Sequence, residues 1–330
     1  MKAVTFITLL LIMLVCLSSQ KPYQDKKIKK TIKIAVISDL NSSYGATAYH
    51  PDVYATLKEL ENIKPDIILC AGDMIAGQKA SLTTAQTQAM WNSFDNNILK
   101  PIQRTKVPFG FTVGNHDASP SYLQDRELAQ QFWKSKQKQL GLNFIDQSHF
   151  PFYYSYQQNG IFFISWDAAG SKVNQEVFNW MEKQLQSKAA KKAKLRILLG
   201  HLPLYAIVAS KNKPGEVLAN NEKTANFFEQ NGIDLYISGH QHAYYPSFAK
   251  KLRLLNTGCV GEGPRPLLGD HRPATRAYTM IEVPVNEAKK FSYQTFIPNT
   301  NGSTIEFSKL PDSVVGFNGI SKKDVALGRQ

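Results

Sequence analysis

Cysteine is scarce in this chain, which has three in 330 residues. No two cysteines form a CxxC pair, and this argues against a zinc site built from thiolates. Cys16 lies near the N-terminus, while Cys70 and Cys259 lie in or beside short apolar runs. We predict that the latter two are buried free thiols rather than a disulfide. The fold must then be stabilised by its core.

Apolar runs long enough to cross a membrane are also missing. The longest run, residues 3–17, is shorter than the about 20 residues that a spanning helix needs. Lys2 precedes it, and the small residues Ser18 and Ser19 follow, an arrangement typical of a secretory signal peptide. We therefore predict a signal peptide over residues 1–19 and export to the periplasm or the extracellular space. The alternatives are membrane attachment through the N-terminus, either as a lipoprotein modified at Cys16 or by an uncleaved anchor.

Acidic residues are fewer than basic ones, with 26 Asp and Glu against 39 Lys and Arg, and the formal net charge is +13. Such a balance attracts anions, including phosphate esters, nucleic acids and acidic membranes. Much of the excess lies in residues 21–33 and 188–196, which we interpret as a solvated linker and a solvated helix end. Charge alone does not select a substrate, and we predict no obligatory nucleic-acid partner.

Internal repeats and low-complexity blocks are absent from the sequence, which suits one large domain. Residues 20–31 are polar and lysine-rich, and we predict a basic linker there. The domain itself is predicted over residues 32–298. Residues 299–330 contain Asn, Gly, Ser and Pro at intervals and are predicted to form a C-terminal tail. The sequence does not indicate an oligomeric state.

Within the predicted domain, continuous apolar runs alternate with amphipathic segments. Continuous apolar character predicts strands that are buried on both faces, and alternation with helices predicts a parallel or mixed sheet. The predicted strands are residues 32–38, 66–70, 108–113, 160–166, 195–200 and 233–239, and the predicted helices are residues 53–63, 81–99, 122–140, 174–186 and 217–230. Three further runs, residues 252–256, 277–283 and 291–297, are predicted to form a second sheet packed on the first.

Polar residues follow the ends of five of the first six predicted strands, the edge where ligands bind in α/β sheets. Most have a glycine directly before the motif, which lets the backbone turn sharply and approach a ligand closely. Each of these residues, taken alone, could instead have a structural role, such as a helix cap, a hydrogen-bonded histidine or part of a turn. Their joint occurrence in this order predicts one shared site. The residues are Asp39, Asp73, Asn115, His116, Asp117, His201, His240 and His242.

These motifs resemble those of the calcineurin-like metallophosphoesterases, whose pattern is D-x-H, G-D, G-N-H-[DE], G-H and G-H-x-H. The resemblance implies an α/β fold, a four-layer α/β/β/α sandwich of two mixed sheets with a dinuclear metal site at the C-terminal ends of the strands. The matching segments are Asp39-Leu40-Asn41, Gly72-Asp73, Gly114-Asn115-His116-Asp117, Gly200-His201 and Gly239-His240-Gln241-His242.

The resemblance also implies a role for each matched residue. Asp73 would bridge two metal ions, with Asp39 and His242 on the first ion. The second ion would be completed by Asn115, His201 and His240. Carboxylate, imidazole and carboxamide ligands suit two divalent or trivalent ions, with Mn, Fe or Zn expected.

Catalysis would follow from the same resemblance. His116 would act as an acid or as a partner of a phosphate oxygen, and Asp117 would orient its imidazole. The implied function is an exported metal-dependent phosphoesterase that hydrolyses small phosphomonoesters or phosphodiesters by attack of a hydroxide between the metals.

Asn41 departs from the family pattern, which has histidine at this position. Asn41 could bind the first ion through its amide oxygen, or it could hydrogen-bond a water on that ion. Tyr44 or a water could instead take the place of the missing imidazole. The plain alternative is an Asx turn before Ser42 and Ser43. Asn41 also motivates an alternative function, that of a metal-binding or anion-binding homologue with weak or lost catalysis.

Substrate contacts are predicted in the arginine-rich segment after the last histidine motif. Arg265 and Arg272 could hold a phosphate bidentately, and His271 could contact it as well. The alternative is an ordered surface loop in which the arginines pair with nearby acids.

Overall fold

The structure is a computed structural model, and it describes residues 30–326. The predicted signal peptide, Cys16 and nearly all of the predicted linker lie outside the described residues. From Thr31 onward, the described residues belong to one compact unit.

Strands make up much of this unit. Within residues 30–326 they are β1 (Thr31–Ile37), β2 (Ile67–Cys70), β3 (Phe109–Phe111), β4 (Phe144–His149), β5 (Tyr153–Gln158), β6 (Ile161–Ser165), β7 (Leu195–Leu199), β8 (Leu235–Ser238), β9 (Tyr244–Ala249), β10 (Leu252–Thr257), β11 (Tyr278–Pro284), β12 (Ser292–Phe296), β13 (Ser313–Gly316) and β14 (Gly319–Lys323).

Helices connect many of these strands. Within the same residues they are α1 (Pro51–Ile63), α2 (Thr84–Phe94), α3 (Lys100–Arg104), α4 (Asn115–Ala118), α5 (Leu123–Lys136), α6 (Gln175–Leu185), α7 (Lys188–Lys192) and α8 (Asn221–Gln230). A π-helical turn at Asp95–Leu99 joins α2 to α3. The five predicted helices therefore form, with ends within a few residues of those expected except where the second continues into this turn.

The strands form two mixed sheets. A five-stranded sheet has the order β12-β11-β1-β2-β3, in which β1, β2 and β3 are parallel. A nine-stranded sheet has the order β13-β14-β9-β10-β8-β7-β6-β5-β4, in which β6, β7, β8 and β10 are parallel. The predicted class, two mixed sheets with helices outside, is confirmed.

The side chains of β6 show how the layers are stacked. Ile161 and Phe163 belong to a large buried cluster that also contains the side chains of β1, β2 and β3. Phe162 and Ile164 point to the opposite face and pack in a second cluster with residues of α6 and α8. Because neighbouring residues of a strand face opposite sides, the nine-stranded sheet is covered by the other sheet on one face and by helices on the other.

The prediction that the strands after residue 240 form their own sheet is wrong. β10 pairs in parallel with β8 in the nine-stranded sheet, whereas β11 pairs antiparallel with β1 in the five-stranded sheet. Short apolar runs reveal a strand but not its neighbour, because pairing depends on contacts far away in sequence.

The segment after residue 298, predicted as a tail, adds two strands to the nine-stranded sheet. The hairpin of β13 and β14 pairs with β9, where Lys322 lies opposite Phe248. Leu310 and Val314 are buried in the large cluster.

Both cysteines of the described residues are buried free thiols, as predicted for Cys70 and Cys259. Burial raises the pKa of both thiols far above the physiological range, so neither is a thiolate. No helix among residues 30–326 is long and apolar enough to span a membrane.

Candidate metal centre

The loops that follow β1, β2, β7 and β8 meet at one edge of the two sheets. The backbone N–H of Asp39 donates to Gly72 O at 2.9 Å, and that of Gly239 donates to His201 O at 3.1 Å. The N–H of His240 donates to both carboxylate oxygens of Asp39, each at 3.1 Å, and so links the two sheets. The strand ends predicted from the sequence therefore converge.

Four of the converging residues have left-handed backbone conformations. The φ angles are +51° at Asp39, +55° at Asp73, +67° at His240 and +56° at His242. Such angles are unfavourable for residues with a side chain, and they persist only where surrounding contacts enforce them. The backbone is thus held in a conformation that turns these side chains toward a common centre.

Two glycines allow the loops to approach one another. A Cβ atom on Gly114 would lie 2.1 Å from Oδ1 of Asp73, and one on Gly72 would lie 2.6 Å from Nδ1 of His201. Both distances are shorter than any real contact. Glycine is therefore required at positions 72 and 114, because a side chain there would collide with Asp73 or His201.

Two groups of buried side chains bring their donor atoms together. Asp73, His201 and His240 form one group, and Asp39, Asp73 and His242 form the other; within each group the donor atoms lie within 4.8 Å of one another. Asp73 belongs to both. One carboxylate between two sets of donors is an arrangement that could hold two metal ions.

Three imidazoles are oriented by hydrogen bonds on their outer side. Nδ1 of His201 donates to Ala71 O at 2.7 Å, and Nδ1 of His242 donates to Gly263 O at 2.9 Å. Nε2 of His240 lies 2.8 Å from Oε2 of Glu216. Because carbonyl and carboxylate oxygens only accept, the outer nitrogen of each ring carries the proton and the inner nitrogen can offer its lone pair to a metal.

The carboxylates of Asp39 and Asp73 and the imidazoles beside them shift one another's pKa values. Burial opposes ionisation of Asp39, but the charge and hydrogen bond of His242, at 3.1 Å, outweigh it and lower the pKa of Asp39 to about 2. Burial likewise opposes ionisation of Asp73, yet His201 holds its pKa far below the usual range. Burial disfavours protonation of His201, but Asp73 at 3.2 Å raises the pKa of His201 to about 9.

The environment of Asp73 also indicates that these donors could bind metal ions. Oδ2 of Asp73 is buried; Nε2 of His201 lies 3.2 Å away but is not aligned for a hydrogen bond, and no other described residue donates to this oxygen. A buried carboxylate oxygen without a donor is costly, and a cation would remove that cost. The buried oxygen and the inward imidazole nitrogens are hard and borderline donors, which suit Mn, Fe or Zn.

Asn115 is held so that its amide oxygen lies beside His201, in the group formed by Asp73, His201 and His240. Its Nδ2 donates to Oε1 of Gln78 at 2.6 Å, and its Oδ1 lies 3.0 Å from Nε2 of His201. The sequence analysis missed Gln78, which follows no motif. Its Oε1 atom determines which end of the Asn115 amide is available as a donor to a metal.

His116 and Asp117 differ from the expected arrangement. Nδ1 of His116 lies 3.1 Å from Gly77 O, so this carbonyl, and not Asp117, orients the ring. Asp117 instead accepts the backbone N–H groups of Met74, Ile75 and Gly114 at 2.8, 3.0 and 2.7 Å. The expectation that Asp117 orients the imidazole is therefore corrected: this carboxylate organises the turn, because it accepts three backbone N–H groups.

The buried position of Asp117 also affects its ionisation. Burial, with a smaller contribution from the negative charge of Asp73, raises the pKa of Asp117 to about 7 against the effect of its backbone donors.

Asn41 is buried beside the cluster. Its backbone N–H donates to Asp73 O at 3.2 Å, and its carbonyl accepts from Glu262 N at 3.1 Å. Its side-chain amide makes no hydrogen bond with any residue of the described range, so the Asx turn considered as an alternative is not formed. Tyr44 packs its ring against His116, at 5.1 Å between centroids.

The three predicted substrate contacts lie in different environments. Arg265 lines a cavity of about 430 Å³ together with Asn115, His116 and His240. Arg272 is paired with the carboxylate of Asp270, which also holds its Nε at 2.9 Å, and this matches the alternative of internal pairing. His271 is exposed and does not line that cavity.

The cavity also contains Lys211 and Glu216, which sequence reasoning missed. Nζ of Lys211 lies 3.2 Å from Nδ1 of His240 and 3.8 Å from Oε2 of Glu216. Burial and the positive charge of Arg265 lower the pKa of Lys211. Burial and the charge of Lys211 lower the pKa of His240 to about 3. A lysine and a glutamate in a loop without a motif gave no signal in the sequence.

Solved structures with a similar fold share little sequence with this chain. Purple acid phosphatase PPD1 from yellow lupin (Lupinus luteus) is 15% identical with a TM-score of 0.63, over 84% of this chain and 53% of that one. GAP50 from Plasmodium is 15% identical with a TM-score of 0.56, over 84% and 88%. A dimetal phosphatase from Danio rerio is 13% identical with a TM-score of 0.50, over 77% and 96%.

The chain thus spans about half the length of the lupin phosphatase. No curated protein matches the sequence. A family model does match, and it is described as calcineurin-like phosphoesterase and covers residues 32–244. The match spans most of both sheets and includes the loops of all five motifs. The chain therefore belongs to the calcineurin-like phosphoesterase family.

Proposed function

We propose that this protein is an exported hydrolase of phosphomonoesters or phosphodiesters that depends on two metal ions. The position of Asp73 carries the proposal, because its carboxylate belongs to both groups of donors and has a buried oxygen without a hydrogen-bond donor among the described residues. Membership of the family supports the reaction class. Export is supported by the composition of residues 1–19 alone, and an N-terminal membrane attachment is its alternative.

The ligand assignment follows the two groups. Asp39 and His242 would hold the first ion, and His201 and His240 the second, with Asp73 bound to both. Asn115 would add its amide oxygen to the second ion, since that oxygen faces Nε2 of His201. We place Mn, Fe or Zn at these positions on the chemistry of the donors.

When bound, two such ions neutralise phosphoryl charge and provide a deprotonated water as the nucleophile. The protein must then supply a proton to the leaving alcohol, and we assign this role to His116. Gly77 O holds the proton on Nδ1, while Nε2 lies 4.0 Å from Oδ2 of Asp73, and the His116 side chain lines the cavity. A proton carried on Nε2 can pass to the departing oxygen, which is general acid catalysis.

The test is turnover of p-nitrophenyl phosphate and bis-p-nitrophenyl phosphate by the mature protein loaded with Mn, Fe, Zn or Mg. Asp73→Asn, which keeps the side-chain shape, should lose both ions and activity. His116→Gln should keep both ions and lose most turnover, by about 100-fold or more. Full metal occupancy without turnover on a broad panel of phosphate esters would overturn the proposal.

A second candidate function is metal or anion binding without catalysis. Asn41 in place of the family histidine favours it, as does the structural likeness to Plasmodium GAP50, which is described as an anchor in the inner membrane complex. The retained His116 in the cavity favours the enzyme instead. If this second candidate is right, the protein binds metal and phosphate yet hydrolyses no ester, and Asn41→His restores turnover.

A further inference from the structure

We propose that Lys211 and Arg265 bind the phosphate oxygens of the substrate and select phosphomonoester dianions over phosphodiester monoanions. The inference rests on the proposed function and narrows its substrate class. Lys211 belongs to none of the five motifs, and nothing in the family pattern assigns it a role.

The two cations lie in the cavity that contains the proposed reacting groups. Its lining includes His116, His240, Lys211 and Arg265, and among the described residues that line it Glu216 is the one carboxylate. Two positive side chains against one negative side chain leave a net positive charge in the part of the cavity outside the metal ligands. An anionic group held there is attracted more strongly than in open water, because the walls exclude solvent.

Both side chains are built into the wall rather than extended into solvent. The Lys211 side chain is only 12% exposed. Nη1 of Arg265 is buried and has no hydrogen-bond acceptor among the described residues. A buried guanidinium donor without an acceptor is unfavourable, and a phosphate oxygen would satisfy it with a strong charge-assisted hydrogen bond.

The loop that carries Lys211 is held by segments distant in sequence. Oε1 of Gln241 accepts the N–H groups of Ile207 and Val208 at 3.1 and 3.2 Å. Oδ1 of Asn212 accepts from Phe317 N at 2.7 Å, at the tip of the hairpin of β13 and β14. A fixed loop presents the ammonium group without an ordering cost on binding.

Two residues of the hairpin tip reinforce this support. Asn318 accepts from Ala206 N at 3.1 Å and donates to Leu204 O at 2.8 Å. A Cβ on Gly316 would lie 2.5 Å from Ala206 O, so hairpin and loop are in direct contact. The hairpin lies outside the residues matched by the family model, so this support comes from a part of the chain that the family pattern does not describe.

Charge separates the two substrate classes. A phosphomonoester has a second pKa of about 6 and is largely a dianion at neutral pH, whereas a diester has one negative charge. In a diester the second ester oxygen replaces a charged oxygen, so one of the cations loses its charged partner. Lys211 and Arg265 should therefore contribute more to binding the monoester than the diester.

The experiment compares the metal-loaded protein with Lys211→Gln and Arg265→Gln on p-nitrophenyl phosphate and bis-p-nitrophenyl phosphate. The matched control is Lys223→Gln, at an exposed position of α8 and outside the cavity lining. Each cavity variant should lower kcat/KM for the monoester by about tenfold or more and for the diester by less than about threefold. The control should change neither.

Binding of inorganic phosphate gives a second readout that does not need turnover. Calorimetric titration should show a Kd weaker by about tenfold in each cavity variant, at unchanged metal content. Lys211→Arg and Arg265→Lys keep the positive charge and should retain most phosphate binding. Their binding would show that the losses in the glutamine variants come from the missing charge and not from misfolding.

An equal loss on both esters, or an unchanged phosphate Kd, would overturn the inference. A wild-type protein that hydrolyses neither ester but binds phosphate through these two residues would disprove the proposed function alone, and the anion site would stand.

Discussion

Oε2 of Glu216 lies 2.8 Å from Nε2 of His240 and keeps the proton on that nitrogen, which leaves the lone pair on Nδ1. Glu216→Gln should weaken binding of the ion held by His201 and His240 by about tenfold or more, because outer hydrogen bonds orient metal-binding imidazoles. Titration with Zn or Mn measures the effect. Glu287→Gln, whose side chain is 60% exposed and remote, is the control. Equal affinities for the two variants would show that Glu216 does not position His240.

Asn41→His should tighten the first ion by about tenfold or more, because imidazole is a stronger donor than a carboxamide. The structure favours this result, since Asn41 is buried and its amide has no hydrogen bond with a described residue. Competition between the protein and a chelator measures the affinity. Asn41→Ala is the companion variant: a weaker first ion would identify the amide as a ligand, and an unchanged ion would show that it is not. No tightening by histidine would contradict the prediction.

Asp117→Asn should lower the free energy of unfolding by about 1–3 kcal/mol, because the amide cannot accept all three backbone N–H groups that the carboxylate accepts. Denaturant unfolding of the metal-free protein measures this loss apart from metal binding. Glu306→Gln is the control, since Glu306 and its partner Lys309 are both more than half exposed and surface ion pairs contribute little. If Asp117 acted on the imidazole alone, its replacement would change turnover and leave stability as it was.

The strand ends of the site could be predicted because each has a clear local pattern. The run Ile67–Cys70 is continuously apolar, as expected for a strand whose four residues are all buried. Gly72 and Asp73 come shortly after it. The close approach of Gly114 to Asp73 explains why the motif glycines accompany the polar residues. Local sequence therefore predicted the fold class and most of the groups that could hold metal.

The rest of the site depends on contacts between distant segments, which no local pattern reveals. Lys211 reaches the cavity because Gln241 and Asn318 hold its loop, and the latter contact spans 112 positions from Ala206. Arg272 was predicted as a substrate contact from the composition of its segment, but its guanidinium forms an ion pair with Asp270, two residues before it. Asp117 lies next to His116 in sequence, yet its carboxylate turns to the backbone of the β2 loop.

Asn318→Ala should loosen the loop that carries Lys211, because it removes the hydrogen bonds to Ala206 N and Leu204 O. We expect faster hydrogen exchange over residues 204–212 and a lower ratio of monoester to diester kcat/KM. Ser313→Ala, at an exposed position of the same hairpin, should change neither. Faster exchange with an unchanged ratio would mean that the hairpin stabilises the loop but does not position Lys211.

Metal binding should become tighter as the pH rises from 7 toward 9. In the metal-free protein the negative charge of Asp73 outweighs burial and raises the pKa of His201 to about 9, so the ring is protonated at pH 7. Its Nδ1 donates to Ala71 O in either state, and the ion must therefore displace the proton on Nε2. Competition with one proton makes the apparent affinity rise by about tenfold per pH unit below the pKa and level off above it. Calorimetry in buffers of different ionisation enthalpy counts the protons released, and a flat affinity between pH 7 and 9 would show that His201 is already neutral before the metal binds.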